Sequence, residues 1–255
     1  MRQLALVAGF LLLIAGCDFV TEKYVVTGQV SRIPEPNLNT ATVIIGKARL
    51  SAPDPMATPD PWDTAFSASD VPVWLTPTSG AQTSVNATAL PERVPGVYFT
   101  LPDSLEYLHS YDLSISVSDP NLPGPITAHA VLPDSFSITV PGMNDTLGPD
   151  SLRVCWSRSD SAQLYTVQVV PADTASTAAG FLLSLSDTTV IVERTAFEDS
   201  LTLQFLPGDY GIQVWAVNGG WKRGTDLLLN GGNVTNAIGL FGAATYAQPK
   251  TVRVR

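Results

Sequence analysis

From residue 23 onward, the chain alternates short runs rich in Val, Ile, Thr, Tyr and Phe with clusters of Pro, Gly, Asn and Asp. No long stretch repeats apolar residues at positions i, i+3, i+4 and i+7, which is the spacing of an amphipathic helix. Apolar and polar residues that alternate between turn clusters indicate half-buried strands. The twenty prolines and nineteen glycines fit many turns and edge strands. We therefore expect an all-β protein whose antiparallel sheets pack face to face as sandwiches.

The length of the chain, 255 residues, is enough for two domains of ordinary size. A connector with two prolines and two glycines, VPGMNDTLGPD, separates two sets of strand signals. We place an immunoglobulin-like sandwich at 23–141, a linker at 142–150 and a second sandwich at 151–255. Residues 51–70 are rich in Pro and Asp and are expected to form a long exposed loop. The strands expected in the first sandwich are 24–30, 41–45, 48–50, 71–76, 83–90, 96–101, 111–117 and 126–132.

The second segment carries the most recognisable fold signature. Its strand signals are LRVCW at 152–156, YTVQVV at 165–170 and LPGDYGIQVWAVN at 206–218. The last of these resembles the F strand of fibronectin type III domains. That resemblance implies that Trp156 fills the core and that Tyr210 bonds back to the backbone at the E to F corner. The segment after Asn218 is longer than a usual F to G hairpin, so the last strand is either 238–246 or 250–254.

The first residues of the chain predict an export signal and a lipid anchor. Arg2 precedes an uncharged apolar run at 4–14, which as a helix reaches about 16 Å, too short for the roughly 30 Å of a bilayer core. The tetrad IAGC at 14–17 resembles the lipobox of bacterial lipoproteins. The resemblance implies that 1–16 is a cleaved signal peptide, that Cys17 carries diacylglycerol and an acyl chain such as palmitate, and that 17–22 is a tether. The alternative is a plain secreted protein in which Cys17 is an ordinary thiol.

The anchor and the charge of the chain restrict its location and partners. Two or three acyl chains hold a protein stably on a membrane, whereas one chain holds it only marginally. The formal net charge of −9 disfavours nucleic acid as a partner and leaves lipid, not a basic patch, as the means of membrane attachment. Asp18, directly after the cysteine, resembles the residue that retains some enterobacterial lipoproteins in the inner membrane. Because that rule varies between lineages, the membrane is either the cell membrane or the outer membrane, and the domains are expected to face the periplasm or the cell exterior. With Cys17 acylated, Cys155 is the only remaining thiol, although a Cys17 to Cys155 disulfide is the alternative.

Taken whole, the chain is similar to a class of two-domain envelope lipoproteins of unknown function. The residues that carry this resemblance are the lipobox, VTG at 26–28, ITAHAVLP at 126–133, GN at 232–233 and GLFG at 239–242. Such lipoproteins are associated with TonB-dependent transporters of the outer membrane. The resemblance therefore implies an envelope protein partner and an accessory role in outer-membrane transport.

No residue constellation predicts catalysis, a cofactor or a metal site. The only two histidines, His109 and His129, lack the close spacing of a metal-binding pair. A hydrolase would need one of them beside an acidic residue and a nucleophile such as Ser110 or Ser135, and no nucleophile-elbow motif supports that arrangement. Carboxylates that could hold calcium do not follow the spacing of a known calcium loop; they are Asp54, Asp60, Asp63 and Asp119.

Two tryptophans on expected loops are the candidate binding residues, because loops on a rigid sandwich commonly carry contact surfaces. They are Trp62 in the Pro/Asp-rich loop and Trp221 after the expected F strand. We expect a non-catalytic lipoprotein that presents its sandwiches to a protein partner. The alternative is a carbohydrate-binding module, which would need Trp62, Trp74 and Trp221 in one groove.

Overall fold

The computed structural model describes residues 21–34, 37–50, 73–148, 151–220 and 233–255. Within these ranges the regular structure is almost entirely β, with one short 3₁₀ turn at Arg194–Phe197. The prediction of an all-β chain is confirmed. The strands are β1 Thr21–Ile33, β2 Leu38–Leu50, β3 Val73–Pro77, β4 Gln82–Val85, β5 Thr88–Leu90, β6 Glu92–Val94, β7 Val97–Thr100, β8 Ser110–Ser116, β9 Ile126–Val131, β10 Ile138–Val140, β11 Thr146–Leu147, β12 Ser151–Trp156, β13 Leu164–Pro171, β14 Phe181–Leu185, β15 Thr189–Glu193, β16 Gly208–Gly219, β17 Val234–Thr235, β18 Ile238–Tyr246 and β19 Lys250–Val254.

The first core lies between a sheet that contains β1, β2 and β7 and a five-stranded sheet in the order β17-β9-β8-β4-β5. Alternate residues of each strand enter this core, as the period of two in a strand requires. On β8, for example, Tyr111, Leu113 and Ile115 are buried while the residues between them face outward. This arrangement is a β-sandwich.

The second core also lies between two sheets. A three-stranded sheet in the order β10-β12-β15 faces the strands β14, β13, β16 and β19. Trp156 and Tyr210 are both buried in this core, and the Tyr210 hydroxyl donates a hydrogen bond to the Leu206 carbonyl at 2.7 Å. The positions that the fibronectin type III resemblance marked therefore have the roles that it implied.

One sheet of eleven strands runs through both sandwiches. The first half of β16 pairs with β19 and its second half pairs with β18, so both segments considered for the last strand are strands. On its other edge β18 pairs in parallel with β1, from Val25 opposite Ile238 to Arg32 opposite Thr245. Among the strands that the structure describes, two pairs are parallel, this one and the pairing of β11 with β19.

The two cores do not divide the chain at one point. Val234, Phe241 and Ala243 come from the later part of the chain but belong to the first core. Thr146 and Leu147, inside the segment predicted as a linker, pair with the last residues of β19. The bounds 23–141, 142–150 and 151–255 stay a prediction. The structure adds that the first sandwich is completed by strands from the end of the chain.

The local strand predictions differ from the structure where backbone conformation intervenes. The expected strand at 83–90 is a hairpin of β4 and β5, because Asn86 and Ala87 both have positive φ, 46° and 63°. Two successive residues with positive φ are the signature of a type I′ turn. The segments expected at 41–45 and 48–50 are instead one continuous strand, β2.

Candidate protein-interaction edge

Strand β14 forms an edge of the eleven-stranded sheet. It pairs with β13 on one side, and the described residues include no strand on its other side. Every second residue of an edge strand directs its N–H and C=O groups away from the sheet, where they can pair with another strand. This edge therefore presents a row of main-chain hydrogen-bonding groups.

The side chains of this edge are uncharged, and those of β14 are mostly apolar. Residues 174–186, TASTAAGFLLSLS, contain no Asp, Glu, Lys, Arg or Pro, the residues that commonly protect sheet edges from pairing. The exposed fractions of Leu182 and Leu183 are 52% and 36%. Phe181 and Leu185 pack against the second core, so the strand is held in place. Residues 178–180 already bond through the main chain to 196–199, so the part of the edge that is open to an added strand is β14 itself, Phe181–Leu185.

A loop with two exposed leucines lies beside the start of this segment. The exposed fractions of Leu201 and Leu203 are 87% and 73%, and the Ser200 N–H donates to the Thr177 carbonyl at 3.1 Å. The Asp199 carboxylate orders the loop by accepting hydrogen bonds from the Thr177 hydroxyl and from the N–H groups of Leu201 and Thr202. These hydrogen bonds, that of Thr177 first, hold the pKa of Asp199 well below its usual range. The exposed leucines therefore belong to an ordered turn.

A second feature is a polar cleft of about 400 Å³ at the end of the first sandwich, where Asp119 is the central group. Its carboxylate accepts hydrogen bonds from the Asn121 N–H at 2.9 Å and the Tyr24 hydroxyl at 2.8 Å, and Lys47 Nζ lies 3.1 Å away. These three contacts, that of Asn121 first, lower the pKa of Asp119 to about 2, whereas burial raises the pKa of Tyr24. Asp119 is therefore ionised at neutral pH, and its carboxylate is engaged in closing the loop between β8 and β9.

The residues considered for catalysis are spread over the first sandwich. His129 Nδ1 lies 2.7 Å from Asp112 Oδ1, with the two side chains 57% and 70% exposed on the outer face of the five-stranded sheet. His109 Nδ1 is 3.9 Å from Glu106 Oε2. The Ser135 N–H donates to the carboxylate of Asp134. In the part of the chain that the structure describes, no three His, Cys, Asp or Glu residues form a cluster that could hold a metal ion.

Most of the predicted site residues lie outside the described ranges. They are Cys17, Trp62, Trp221, Asp54, Asp60 and Asp63, together with the signal peptide 1–16 and most of the tether 17–22. Cys155 is a half-buried free thiol on β12, and its Sγ is 3.2 Å from Thr189 Oγ1. Across the described ranges, no helix is long and apolar enough to cross a membrane. Sequence reasoning missed Leu182 and Leu183, although the uncharged run at 174–186 was a visible signal.

Comparisons with known proteins do not identify a family for this chain. No family model matches the chain, and no curated protein matches it. Among solved structures, the chain is similar to fibronectin(III)-like modules of Clostridium thermocellum CbhA. The identity is 9%, the match covers 92% of this chain and 93% of that chain, and the TM-score is 0.26. A likeness of that degree supports no conclusion about fold or function.

Proposed function

We propose that this chain is a non-catalytic cell-envelope lipoprotein whose β-sandwiches present the β14 edge to a protein partner. The observation that carries the proposal is the uncharged, apolar edge strand with Leu182 and Leu183 exposed. Proteins commonly recognise an extended segment by adding it to such an edge, with main-chain hydrogen bonds for affinity and side chains for specificity.

The shape of the molecule supports a presenting role. One sheet of eleven strands links the two sandwiches, and the edge strand β14 belongs to that sheet. At the junction, Thr245 on β18 donates its hydroxyl hydrogen bond to the Pro133 carbonyl at 2.5 Å. A partner that binds β14 therefore binds a sheet that also forms part of the first sandwich. The same sheet includes β1, on the N-terminal side of the chain.

The membrane part of the proposal rests on the sequence. The lipobox-like tetrad at 14–17 supports lipidation of Cys17, and the resemblance to envelope lipoproteins supports an accessory role in outer-membrane transport. The prediction is tested by mass spectrometry of the mature protein. We expect an N-terminal Cys17 that carries acyl chains, and a Cys17→Ser variant that leaves the membrane fraction. An intact leader or an unmodified thiol would contradict the anchor.

The alternative functions have less support. A carbohydrate-binding groove would require Trp62, Trp74 and Trp221 together, and none of these side chains lies among those that the structure describes. A hydrolase would require a cleft, whereas the His129–Asp112 pair lies on an exposed sheet face. The interaction role is therefore the proposal that the geometry supports best.

The decisive experiment places a photo-reactive amino acid at Leu182 in cells that produce the chain. The control places the same probe at Ile191, which is 62% exposed on β15, an edge strand of the smaller sheet. We expect a protein adduct from residue 182 only, and its loss when Leu183→Lys adds a charge to the edge. Equal adducts at both positions, or an adduct that survives Leu183→Lys, would overturn the proposal.

A further inference from the structure

The β14 edge is suited to one particular occupant. We propose that this occupant is a second copy of the chain, which adds its own β14 antiparallel to the first and joins the two large sheets. This inference rests on the proposed function, because it names the partner that the edge binds.

The charge of the chain favours this edge as the place where two copies meet. Two chains of formal net charge −9 repel each other, and like charges directly opposite across a strand pair are destabilising. Phe181–Leu185, the open part of the edge, carries no charge, so pairing here opposes no like charges on the two strands. The edge of β15, by comparison, ends at Glu193, and the edge strand β6 begins at Glu92.

The register of a symmetric pair is also favourable. A two-fold axis at Leu183 places Phe181 of one copy opposite Leu185 of the other, and Leu182 opposite Ser184. Phe181 and Leu185 already pack against the second core of their own chain. The apolar layer of one sandwich would therefore continue into the next across the axis. A strand that pairs well with itself in this way is suited to an isologous dimer.

The size of the edge predicts how the dimer depends on the membrane. A stable interface buries about 800 Å² on each partner, more than a five-residue edge is expected to supply alone. Lipid-anchored copies that share a membrane have a raised effective concentration, which increases the occupancy of a weak contact. We therefore expect pairing on membranes and little pairing of the Cys17→Ser variant in dilute solution.

The first test is cross-linking of the full chain in cells that produce two differently tagged copies. Leu183→Cys is introduced in a Cys155→Ser background, whose serine hydroxyl can keep the contact with Thr189. A short bifunctional thiol reagent is expected to give an adduct that carries both tags, because residue 183 faces its own copy across the axis. The matched controls are Ile191→Cys and the background alone, and both are expected to give none.

The outcomes separate this inference from the proposed function. An adduct that contains another protein and a single tag would overturn the second copy as occupant and leave the proposed function standing. No adduct from residue 183, together with none from the photo-reactive residue at 182, would overturn both the second copy as occupant and the proposed function. Equal two-tag adducts from Leu183→Cys and Ile191→Cys would show crowding at the membrane and overturn the inference.

A charge exchange at the same residue gives an independent test. Leu183→Lys or Leu183→Glu alone should lower the yield of the adduct that carries both tags, formed by the photo-reactive amino acid at 182, about tenfold. Each substitution places like charges opposite each other on the two copies and removes apolar burial. Producing the Lys and Glu variants together should restore the adduct, because opposite charges meet on the axis. Failure of this restoration, with both variants folded as the background is, would overturn the symmetric register.

Discussion

The carboxamide of Asn218 bonds to the main chain of Val131, 87 residues earlier in the sequence: the Val131 N–H donates to Asn218 Oδ1 at 2.9 Å. The Nδ2 group of the same residue donates to the Ser161 carbonyl at 2.6 Å. Val131 ends β9 of the first sandwich, whereas Asn218 lies near the end of β16, which spans both parts of the large sheet. One side chain thus ties the five-stranded sheet to the second sandwich.

The loss of this tie should destabilise the whole molecule. We expect Asn218→Ala to lower the free energy of unfolding by about 1–2 kcal/mol, because two main-chain groups lose their partner at a partly buried site. The measurement is urea denaturation. Ser116→Ala, on the exposed outer face of β8, is the control and should change stability by less than about 0.5 kcal/mol. Equal effects of the two substitutions would show that the junction bonds contribute nothing.

The hydroxyl of Tyr210 should contribute separately from its ring. Tyr210→Phe removes the 2.7 Å hydrogen bond to the Leu206 carbonyl but keeps the edge-to-face contact with Phe197, whose ring centroid is 4.9 Å away. We expect a loss of about 1 kcal/mol from Tyr210→Phe. Tyr210→Ala should lower the free energy of unfolding by about 3–5 kcal/mol, because it also leaves a cavity in the core. An unchanged urea midpoint for Tyr210→Phe would contradict a stabilising corner bond.

The ionised Asp119 should make part of the stability depend on pH. Its folded-state pKa of about 2 lies below that of the unfolded chain, so its contribution is fully present above the unfolded pKa of about 4 and is lost as pH falls toward 2. We expect the stability difference between the native chain and Asp119→Asn to be constant from pH 5 to 7 and to shrink below pH 4. Urea midpoints across this range measure it. The control is Asp187→Asn, in the exposed turn after β14. A stability difference between the native chain and Asp119→Asn that grew on acidification would contradict the expected pH dependence.

Two glycines should respond very differently to the same substitution. Gly239 has φ +155°, and a Cβ there would lie 1.9 Å from the Val26 carbonyl oxygen, whereas a Cβ at Gly208 would meet no atom within 4 Å. Gly239→Ala must therefore separate β18 from β1, and we expect a loss of about 2–4 kcal/mol. Gly208→Ala should stay within about 0.5 kcal/mol of the native chain. Thermal or urea unfolding of both variants measures the contrast, and a tolerated Gly239→Ala would refute the close pairing of these strands.

The sequence predicted those features that depend on local pattern. The runs at 111–117 and 126–132 alternate cleanly, and the structure has β8 and β9 there within two residues at each end. Trp156 and Tyr210 were identified from a strand motif, and both are buried. A period of two and a motif at a strand corner are properties of neighbouring residues, so one sequence suffices to find them.

The features that the sequence did not predict depend on distant partners. Seven of the nine residues of β18 are buried, from Gly239 to Thr245, so this strand shows no alternation that would reveal its two neighbours. Its parallel pairing with β1 joins residues more than two hundred positions apart, which no local pattern encodes. Strand β14 was missed because FLLSL at 181–185 does not alternate apolar and polar residues, so it does not indicate a half-buried strand. The absence of charge at 174–186 is visible in the sequence, but the position of β14 at a sheet edge follows only from the strand order.

The place of β18 also has a consequence for biosynthesis. Phe241 and Ala243 complete the first core, yet they follow the first strand of that core by more than two hundred residues. The first sandwich therefore cannot reach its final packing before β18 has been synthesised, although domains that contain all their own strands can fold in order of synthesis. Packing of the first core has to await residues 238–246, and a chain terminated before residue 238 should leave a half-built β layer for proteases to remove.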